Sequence, residues 1–449
     1  MGKITLGQAA KWCGGRIDPK YADISFLGAN NDSRKIEKGQ LFVALQGARD
    51  GHDFIPKAME MGAAAVLCSR EVGDYPAIIV DDPRIALGDI ARAERKRIGM
   101  KVVGITGSVG KSTTKEMIAC VLGSTYKVAK TPANHNNDIG MPMAVLAIPE
   151  DTEVAVLEMG MNHFREIAYL TAIAQPDVAV IINIGTMHIE HLGSQEGILK
   201  AKLEILEGMD KNGTVLLNGD DTLLWNAQPQ LNRPVTYFGT ENPDCDVKGA
   251  DVKQDGKGLH FTASCGEIVL PLEGEHYVSD ALAAISVGMT MGVSNEKICS
   301  SLAAFRNLSG RQEILEAKGY TIIKDCYNAG PESMAAALTV LGSKAGRRIA
   351  VLGDMLELGV CTQAEHYRVG RIAAENADFV LAYGPNSSRI INGCLTGGMP
   401  DTAVGAFEDR VELVSMLKRI AKPGDTLLFK GSHGMHMEIA LDLFLKDET

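Results

Sequence analysis

Four apolar runs, KVVGIT (101–106), EVAVLEM (153–159), DVAVIINI (177–184) and TVLLN (214–218), are continuous rather than alternating. A strand with one wet face alternates apolar and polar residues. Continuous runs belong to strands covered on both faces, as in a parallel sheet. Helical patterns fall between them, at 112–122 and 197–207. Strand and helix in repetition is the doubly wound α/β signature.

A second alternating block runs from 319 onward. Its expected strands are YTIIKD (320–325), RIAVLGD (348–354), FVLAYG (379–384) and TLLFKG (426–431). Helices are expected near 331–342, 363–376, 408–420 and 435–446, and Pro331 suits a first helical turn. This block reads as Rossmann-like. It carries no G-x-G-x-x-G after its first strand, so no dinucleotide site is read there. Residues 1–99 read as a small mixed domain, with β-like runs at 41–45, 63–67 and 77–80. Helical segments fall at 54–61 and 91–96, the second ending near Gly99. The stretch 235–272 has short β runs and many glycines, followed by a helix over 279–291. The expected fold class is α/β in three domains. They are a mixed N-terminal domain at 1–99, a central ATPase-type domain with a mostly parallel sheet at 100–312, and a Rossmann-like domain at 313–449. A chain of 449 residues fits three domains of ~100–200 residues each.

Composition narrows the function. The formal charge is −11, and no long Lys/Arg block is present, which argues against nucleic-acid binding. An anionic small substrate is still allowed, because loops and helix N-termini can hold it. The nine cysteines are scattered without a C-x-x-C pair, so reduced, mostly packed thiols are expected. No signal peptide is read at the N-terminus, and no run reaches the ~18 apolar residues of a membrane span. A cytoplasmic monomer without membrane insertion is expected.

The strongest local signal is GITGSVGKSTTK (104–115). A buried strand enters a Gly-rich turn, and a helix opens at Lys111. Backbone N–H groups in such a turn cradle phosphate oxygens. Lys111 is placed to reach the β- and γ-phosphates, and the Ser112 hydroxyl to serve Mg²⁺. The usual register puts a glycine at position 105, where this chain has Ile105; the glycine is Gly104. The matching core is T-G-x-x-G-K-S.

Three downstream positions extend the reading. Glu158 ends a buried strand, where open α/β sheets place metal and substrate chemistry. His188 follows the next apolar run, in NIGTMHIEHLG (183–193). Each alone has an ordinary structural reading; two strand ends on one sheet edge favour a metal. Lys202, in KAKLEI (200–205), reads by itself as part of a solvated helix face. Arg311 and Asp325 have similarly plain readings. An arginine suits a γ-phosphate through its permanent charge and forked donors, and an aspartate can accept ribose hydroxyls.

Taken together, the motifs resemble the Mur ligase family over nearly the whole chain. The resemblance rests on DSR (32–34), LFVALQG (41–47) and DGHDFI (50–55) in the first domain. In the second it rests on the phosphate loop, NHNNDIGMP (134–142), LEMGM (157–161), the segment around His188, and GILKAKLEI (197–205). In the third it rests on IKDCYNAGPESM (323–334), VLGDMLELG (351–359) and LFKGSHGMHME (428–438). It implies an ATP-dependent acid–amino-acid ligase that uses ATP and Mg²⁺. The most similar member joins D-alanyl-D-alanine to UDP-N-acetylmuramoyl-tripeptide through an acyl phosphate, the last cytoplasmic step of peptidoglycan precursor assembly.

The resemblance also implies residue roles. Gly107, Ser108, Val109, Gly110, Lys111, Ser112 and Thr113 hold phosphates. Ser112, Glu158, His188 and Lys202 serve magnesium, Lys202 as a carbamate. Arg311 meets the γ-phosphate, Asp325 the ribose, and Asp280 the adenine side. Ser33, Arg34, Asn134 and Asn137 lie on the nucleotide-sugar side. Some positions depart from the family pattern. HYVSDA (276–281) has Tyr277 and Asp280 where two asparagines are usual, and an aspartate cannot donate as an asparagine does. His433 stands for an arginine, and Arg165 for a glycine.

The rival readings are a sibling ligase adding a single amino acid, folylpolyglutamate synthase, and a non-catalytic nucleotide switch. The first would carry an Asp-Asn-Pro-Arg signature where this chain reads YGPNSSR (383–389). The second begins close to its phosphate loop, whereas a long segment precedes this one. A switch needs neither the acid, His and Lys of successive elements nor a third domain. The identity of the third tripeptide residue, lysine or diaminopimelate, is not legible in the sequence.

Overall fold

Strand Lys101–Thr106 lies inside a seven-stranded sheet in which every pairing is parallel. Its neighbours are Val154–Glu158 on one side and Val178–Ile181 on the other. The computed structural model describes residues 3–446; residues 1–2 and 447–449, at the outer ends of the first and third expected domains, lie outside the described residues. Continuous apolar runs have a direct cause here. Val102, Ala155, Leu157, Ala179 and Ile181 face one core. Val103, Ile105, Val154, Val156, Val178 and Val180 face the other. Both faces are covered, so both sets of alternating side chains must be apolar.

From strand Lys101–Thr106 the chain passes through helix Lys111–Gly123 to the edge strand Val128–Lys130. It returns to Val154–Glu158 and then crosses to Val178–Ile181. The strand order therefore reverses beside Lys101–Thr106, which opens a crevice at the carboxyl ends. The phosphate loop and Glu158 both sit on that edge.

The N-terminal part has a five-stranded sheet, parallel except for Arg16–Ile17 at one edge. Helix Pro83–Ile98 docks it onto the central sheet. Arg95 on this helix donates to the carbonyls of Ala174 and Gln175 at 2.9 Å each. Gly99 ends the helix in the left-handed region at φ 72°, where the missing Cβ avoids strain. The C-terminal sheet has six strands. Its last strand, Thr426–Lys430, inserts between Tyr320–Asp325 and Arg348–Gly353. An antiparallel edge strand, Glu313–Ala317, opens it.

Several expected elements shift. The helix expected over 197–207 runs Gln195–Leu203 and then tightens into a 3₁₀ turn, Glu204–Leu206. The helix expected from 279 begins at His276. The β runs of 235–272 divide. Val235–Gly239 and Val247–Lys248 extend the parallel sheet, while Ala250–Asp255, Gly258–Ala263 and Gly266–Leu270 form a separate antiparallel sheet. Helices Leu6–Cys13, Gly140–Leu146, Glu166–Ala174 and Ser387–Thr396 were not anticipated. Among the described residues, no helix is long and apolar enough to cross a membrane.

Candidate active site

The turn after strand Lys101–Thr106 is held open by a residue from the neighbouring element. Asn183 Oδ1 accepts from the N–H groups of Ser108 and Val109 at 2.9 and 3.0 Å, and its Nδ2 donates to the Val109 carbonyl. Gly185 N–H donates to Ser108 Oγ at 2.8 Å. Gly110 precedes helix Lys111–Gly123 at φ 85° and supplies no side-chain cap. The first N–H groups of that helix are therefore available to an anion. Lys111 folds back over the turn, its Nζ donating to the carbonyls of Gly107 and Ser108 at 2.9 and 3.1 Å. Burial lowers its pKa from the usual lysine range; Glu158 opposes this and Arg311 adds to it.

Ser112 is the meeting point of the site. Its hydroxyl donates to Glu158 Oε2 at 2.8 Å and accepts from Arg311 Nη2 at 2.9 Å. Glu158 is buried at the end of its strand and also accepts from Asn136 Nδ2 at 2.9 Å. The Arg311 guanidinium lies over the Tyr327 ring, 3.9 Å from its centroid. This contact orients the side chain by cation–π attraction.

Asp325 accepts from Lys430 Nζ at 2.6 Å and from Gln312 N–H at 3.2 Å. Lys430 is itself buried, so two charges taken from water are compensated by each other. Asp280 is buried under the phosphate loop. Its Oδ1 accepts from Thr114 Oγ1 at 2.8 Å, and a Cβ on Gly110 would stand 2.6 Å from that oxygen. Burial pushes its pKa up to about 7, against the pull of Thr114 and Arg311. Tyr277, the other departure from the family pattern, is buried, and its hydroxyl accepts from Asn307 Nδ2 at 3.0 Å.

His188 sits in the left-handed region at φ 63° and pairs its Nδ1 with Glu357 Oε2 at 2.5 Å. Burial lowers its pKa, and Lys111 acts in the same direction. Lys202 is 2 % exposed and lies close enough to Lys111 to feel its charge. Burial, with Lys111 in support, drives its pKa well below the usual lysine value. Lys200 is exposed and lies 5.8 Å from the centroid of the Phe164 ring.

A cleft of about 640 Å³ runs between the central and C-terminal sheets. It is within the usual range for a small-molecule site. Ser108 to Thr113, Asn134, Asn137, Glu158, His188, Asp280, Arg311 and Asp325 all line it. Gly107 backs the loop through its carbonyl, and Lys202 is buried outside the lining. Ser33 and Arg34 stand apart on the N-terminal part. Ser33 is buried, and the exposed Arg34 forks onto Asp32 through Nε and Nη2 at 2.9 and 2.8 Å. Asn137 faces the cleft but spends its Oδ1 on the N–H groups of Ile139 and Gly140.

Residues 105–288 match the family model for the Mur ligase middle domain. Residues 310–433 match the one described as Mur ligase, glutamate ligase domain, and 23–95 the one described as Mur ligase family, catalytic domain. The chain is 42% identical to UDP-N-acetylmuramoyl-tripeptide–D-alanyl-D-alanine ligase of Bacillus subtilis, over 98% of this chain and 97% of that one. It belongs to the Mur ligase family. The Escherichia coli ligase of the same name is 36% identical over 98% and 97% of the two chains. The Mur ligase architecture also matches solved structures. A crystal structure of MurF from Acinetobacter baumannii superposes with a TM-score of 0.90 at 30% identity, covering all of both chains. MurF from Thermotoga maritima in complex with ADP gives 0.82 at 29% identity, over 93% of this chain and 97% of that one.

Sequence reading of this Mur ligase missed several cleft groups. Asn136, Asn183, Tyr327, Glu332 and Lys430 in the cleft, and Glu357 against His188, carry no local signature. All six lay inside the motifs NHNNDIGMP, NIGTMHIEHLG, IKDCYNAGPESM, VLGDMLELG and LFKGSHGMHME, but nothing in those motifs gave them a role.

Proposed function

We propose that this Mur ligase joins D-alanyl-D-alanine to UDP-N-acetylmuramoyl-tripeptide, using ATP and passing through an acyl phosphate. The observation that carries the reading is Ser112, held between Glu158 and Arg311 at the mouth of the phosphate loop. That arrangement aims cations and helix N–H groups at one point, which is what phosphoryl transfer asks of a protein. A carboxylate oxygen of the tripeptide attacks the γ-phosphorus, and the bond to ADP breaks. The neutral amine of the dipeptide then attacks the acyl carbon, a C–N bond forms, and phosphate leaves with the C–O electron pair, the proton lost from nitrogen passing to the departing phosphate or to water. Lys111, Arg311 and the loop N–H groups offset the charge that develops. A cleft between two sheets lets closure exclude water, which would otherwise hydrolyse the acyl phosphate.

The donor set fits magnesium in part. Glu158 and the Ser112 hydroxyl offer hard oxygens, as Mg²⁺ requires, and His188 lines the same cleft. Among the described residues, no three His, Cys, Asp or Glu side chains gather as a ready metal site. Phosphate oxygens and water would complete the shell, as is usual for this ion. Bound there, the ion would neutralise phosphate charge. Lys202 fits only after modification, because an ammonium has no lone pair to give. Burial beside Lys111 favours the neutral amine, the form that reacts with CO₂ to give a carbamate.

In this reading the domains are 1–99, 100–312 and 313–449. The first holds the uridine end of the nucleotide-sugar peptide, with Ser33 and Arg34 contributing from its surface and Asn134 and Asn137 from the central domain. Asp325 serves the ribose and Asp280 the adenine side. The enzyme works as a cytoplasmic monomer. The test is phosphate release from ATP with each substrate omitted in turn, with the product identified by mass. Release should require both the tripeptide nucleotide and the dipeptide. Equal release with a single amino acid in place of the dipeptide would overturn the assignment.

A further inference from the structure

Glu332 is the second residue of helix Pro331–Gly342 in the C-terminal sheet unit, and it reaches across the cleft. Its Oε1 accepts from the N–H and the hydroxyl of Thr186 at 3.1 and 3.0 Å. Its Oε2 is shielded from solvent and has no hydrogen-bond partner among the described residues. Such an oxygen is rare, because a buried acceptor without a donor costs free energy. Two residues without side chains border the oxygen. A Cβ on Gly185 would come 3.1 Å from it and one on Gly330 4.0 Å. The Ser108 Cβ lies 3.1 Å from the same Gly185 point, so the orphan oxygen stands beside the phosphate loop.

We infer that Glu332 Oε2 is the recognition site for the ammonium of the acceptor dipeptide. The inference rests on the proposed ligase reaction. That reaction brings to the cleft the phosphates and a peptide carboxylate, which are anions, and one ammonium. Among these reacting groups the ammonium alone is both a cation and an N–H donor, and its nitrogen must come to rest within reach of the acyl phosphate. Glycine at 185 and 330 lets Glu332, Ser108 and Met187 pack close to the backbone, because a Cβ would stand 3.0 Å from Glu332 Cδ at the first and 2.7 Å from Met187 Cγ at the second. Oε2 is shielded while Thr186 and Glu332 are joined, so the ammonium enters with this seam open and is enclosed as it closes. The carboxylate binds and orients the nitrogen; the bond-forming chemistry remains with the groups around Ser112.

The experiment compares the full-length enzyme with its Glu332→Gln and Thr186→Val variants. Glu332→Gln keeps the size and the Thr186 acceptor but loses the charge. It should raise KM for D-alanyl-D-alanine by about tenfold or more, the scale of one charge-assisted hydrogen bond. KM for ATP and for the nucleotide substrate should stay within about twofold, below the size of such a bond. Acyl phosphate formed without dipeptide, trapped by borohydride reduction, should persist. A dipeptide analogue with hydrogen in place of the ammonium should inhibit wild type and Glu332→Gln equally.

An unchanged dipeptide KM overturns the inference. So does Thr186→Val raising that KM equally, which would make Glu332 a seam latch only. A changed magnesium requirement with unchanged dipeptide KM overturns it in favour of a metal role. Failure of wild type to form the acyl phosphate overturns the ligase reading instead, which keeps the two failures distinct.

Discussion

Arg311 Nη2 lies 2.9 Å from Ser112 Oγ, although 199 residues separate them in the chain. The contact ties the segment that leads into the C-terminal sheet to the first turn of the phosphate-loop helix. With Tyr327 beneath it, the guanidinium is positioned before any substrate arrives. Lysine would keep the charge but lose both the fork and the stacking. Arg311→Lys is therefore expected to lower kcat by about 10- to 100-fold, from the loss of charge-assisted bonds of ~1.5–3 kcal/mol. Steady-state kinetics with saturating ATP checks this. Wild-type turnover in the variant would detach Arg311 from the reaction.

Lys111→Ala should abolish ligation and leave the fold intact. Among the described residues the ammonium donates to the loop carbonyls of Gly107 and Ser108, and burial already disfavours its charge. A loss of about 100-fold or more in kcat is expected when one preorganised charge-stabilising group is removed. Thermal unfolding should show a Tm equal to or above that of wild type. Retained turnover would remove the phosphate-loop assignment.

Lys202 couples stability to pH with a definite sign. In the unfolded chain a lysine titrates near ~10.4; in the fold, burial and Lys111 place it well below. Between those values the unfolded state binds the extra proton, so stability rises with pH across the window. The cost of unmodified Lys202 is full below its folded pKa. Lys202→Met should therefore raise Tm at neutral pH in CO₂-free buffer while losing most activity. Lys200→Ala, on the exposed face, should leave activity unchanged. ¹³C NMR with labelled bicarbonate should show a carbamate signal in wild type that Lys202→Met lacks. A wild-type spectrum without that signal, in active enzyme, would end the carbamate proposal.

Asp280 carries the opposite dependence. Its carboxyl is pushed up to about 7 by burial, against ~3.9 when unfolded. Between these values the folded state holds a proton the unfolded state has lost, so stability falls as pH rises through the window. Asp280→Asn removes the term and keeps an oxygen for Thr114. Its Tm advantage over wild type should widen from pH 5 to pH 8, the full effect being on the order of a few kcal/mol. KM for ATP should change while kcat stays near wild type, because the position lies against Gly110 and Thr114. A pH-independent Tm gap would mean that Asp280 does not titrate in this range.

The sequence by itself determined what depends on neighbours along the chain. Continuous apolar runs specify strands covered on both faces. A glycine turn between such a strand and a helix specifies an anion cradle, and a carboxylate at a strand end specifies which sheet edge carries chemistry. Lys111, Ser112 and Glu158 were legible for that reason. Tertiary structure decided the rest. Arg311 had no visible partner until the fold set it beside Ser112, and Lys202 read as a solvated lysine until helix Gln195–Leu203 turned it inward. Asp325 proved to be paired with Lys430, Asp280 to rest under Gly110, and one oxygen of Glu332 to lack a donor among the described residues. Periodicity reports which face of an element is apolar, but not which other element covers it. Pairings across a hundred or more residues are set by how the sheets and their crossover helices pack.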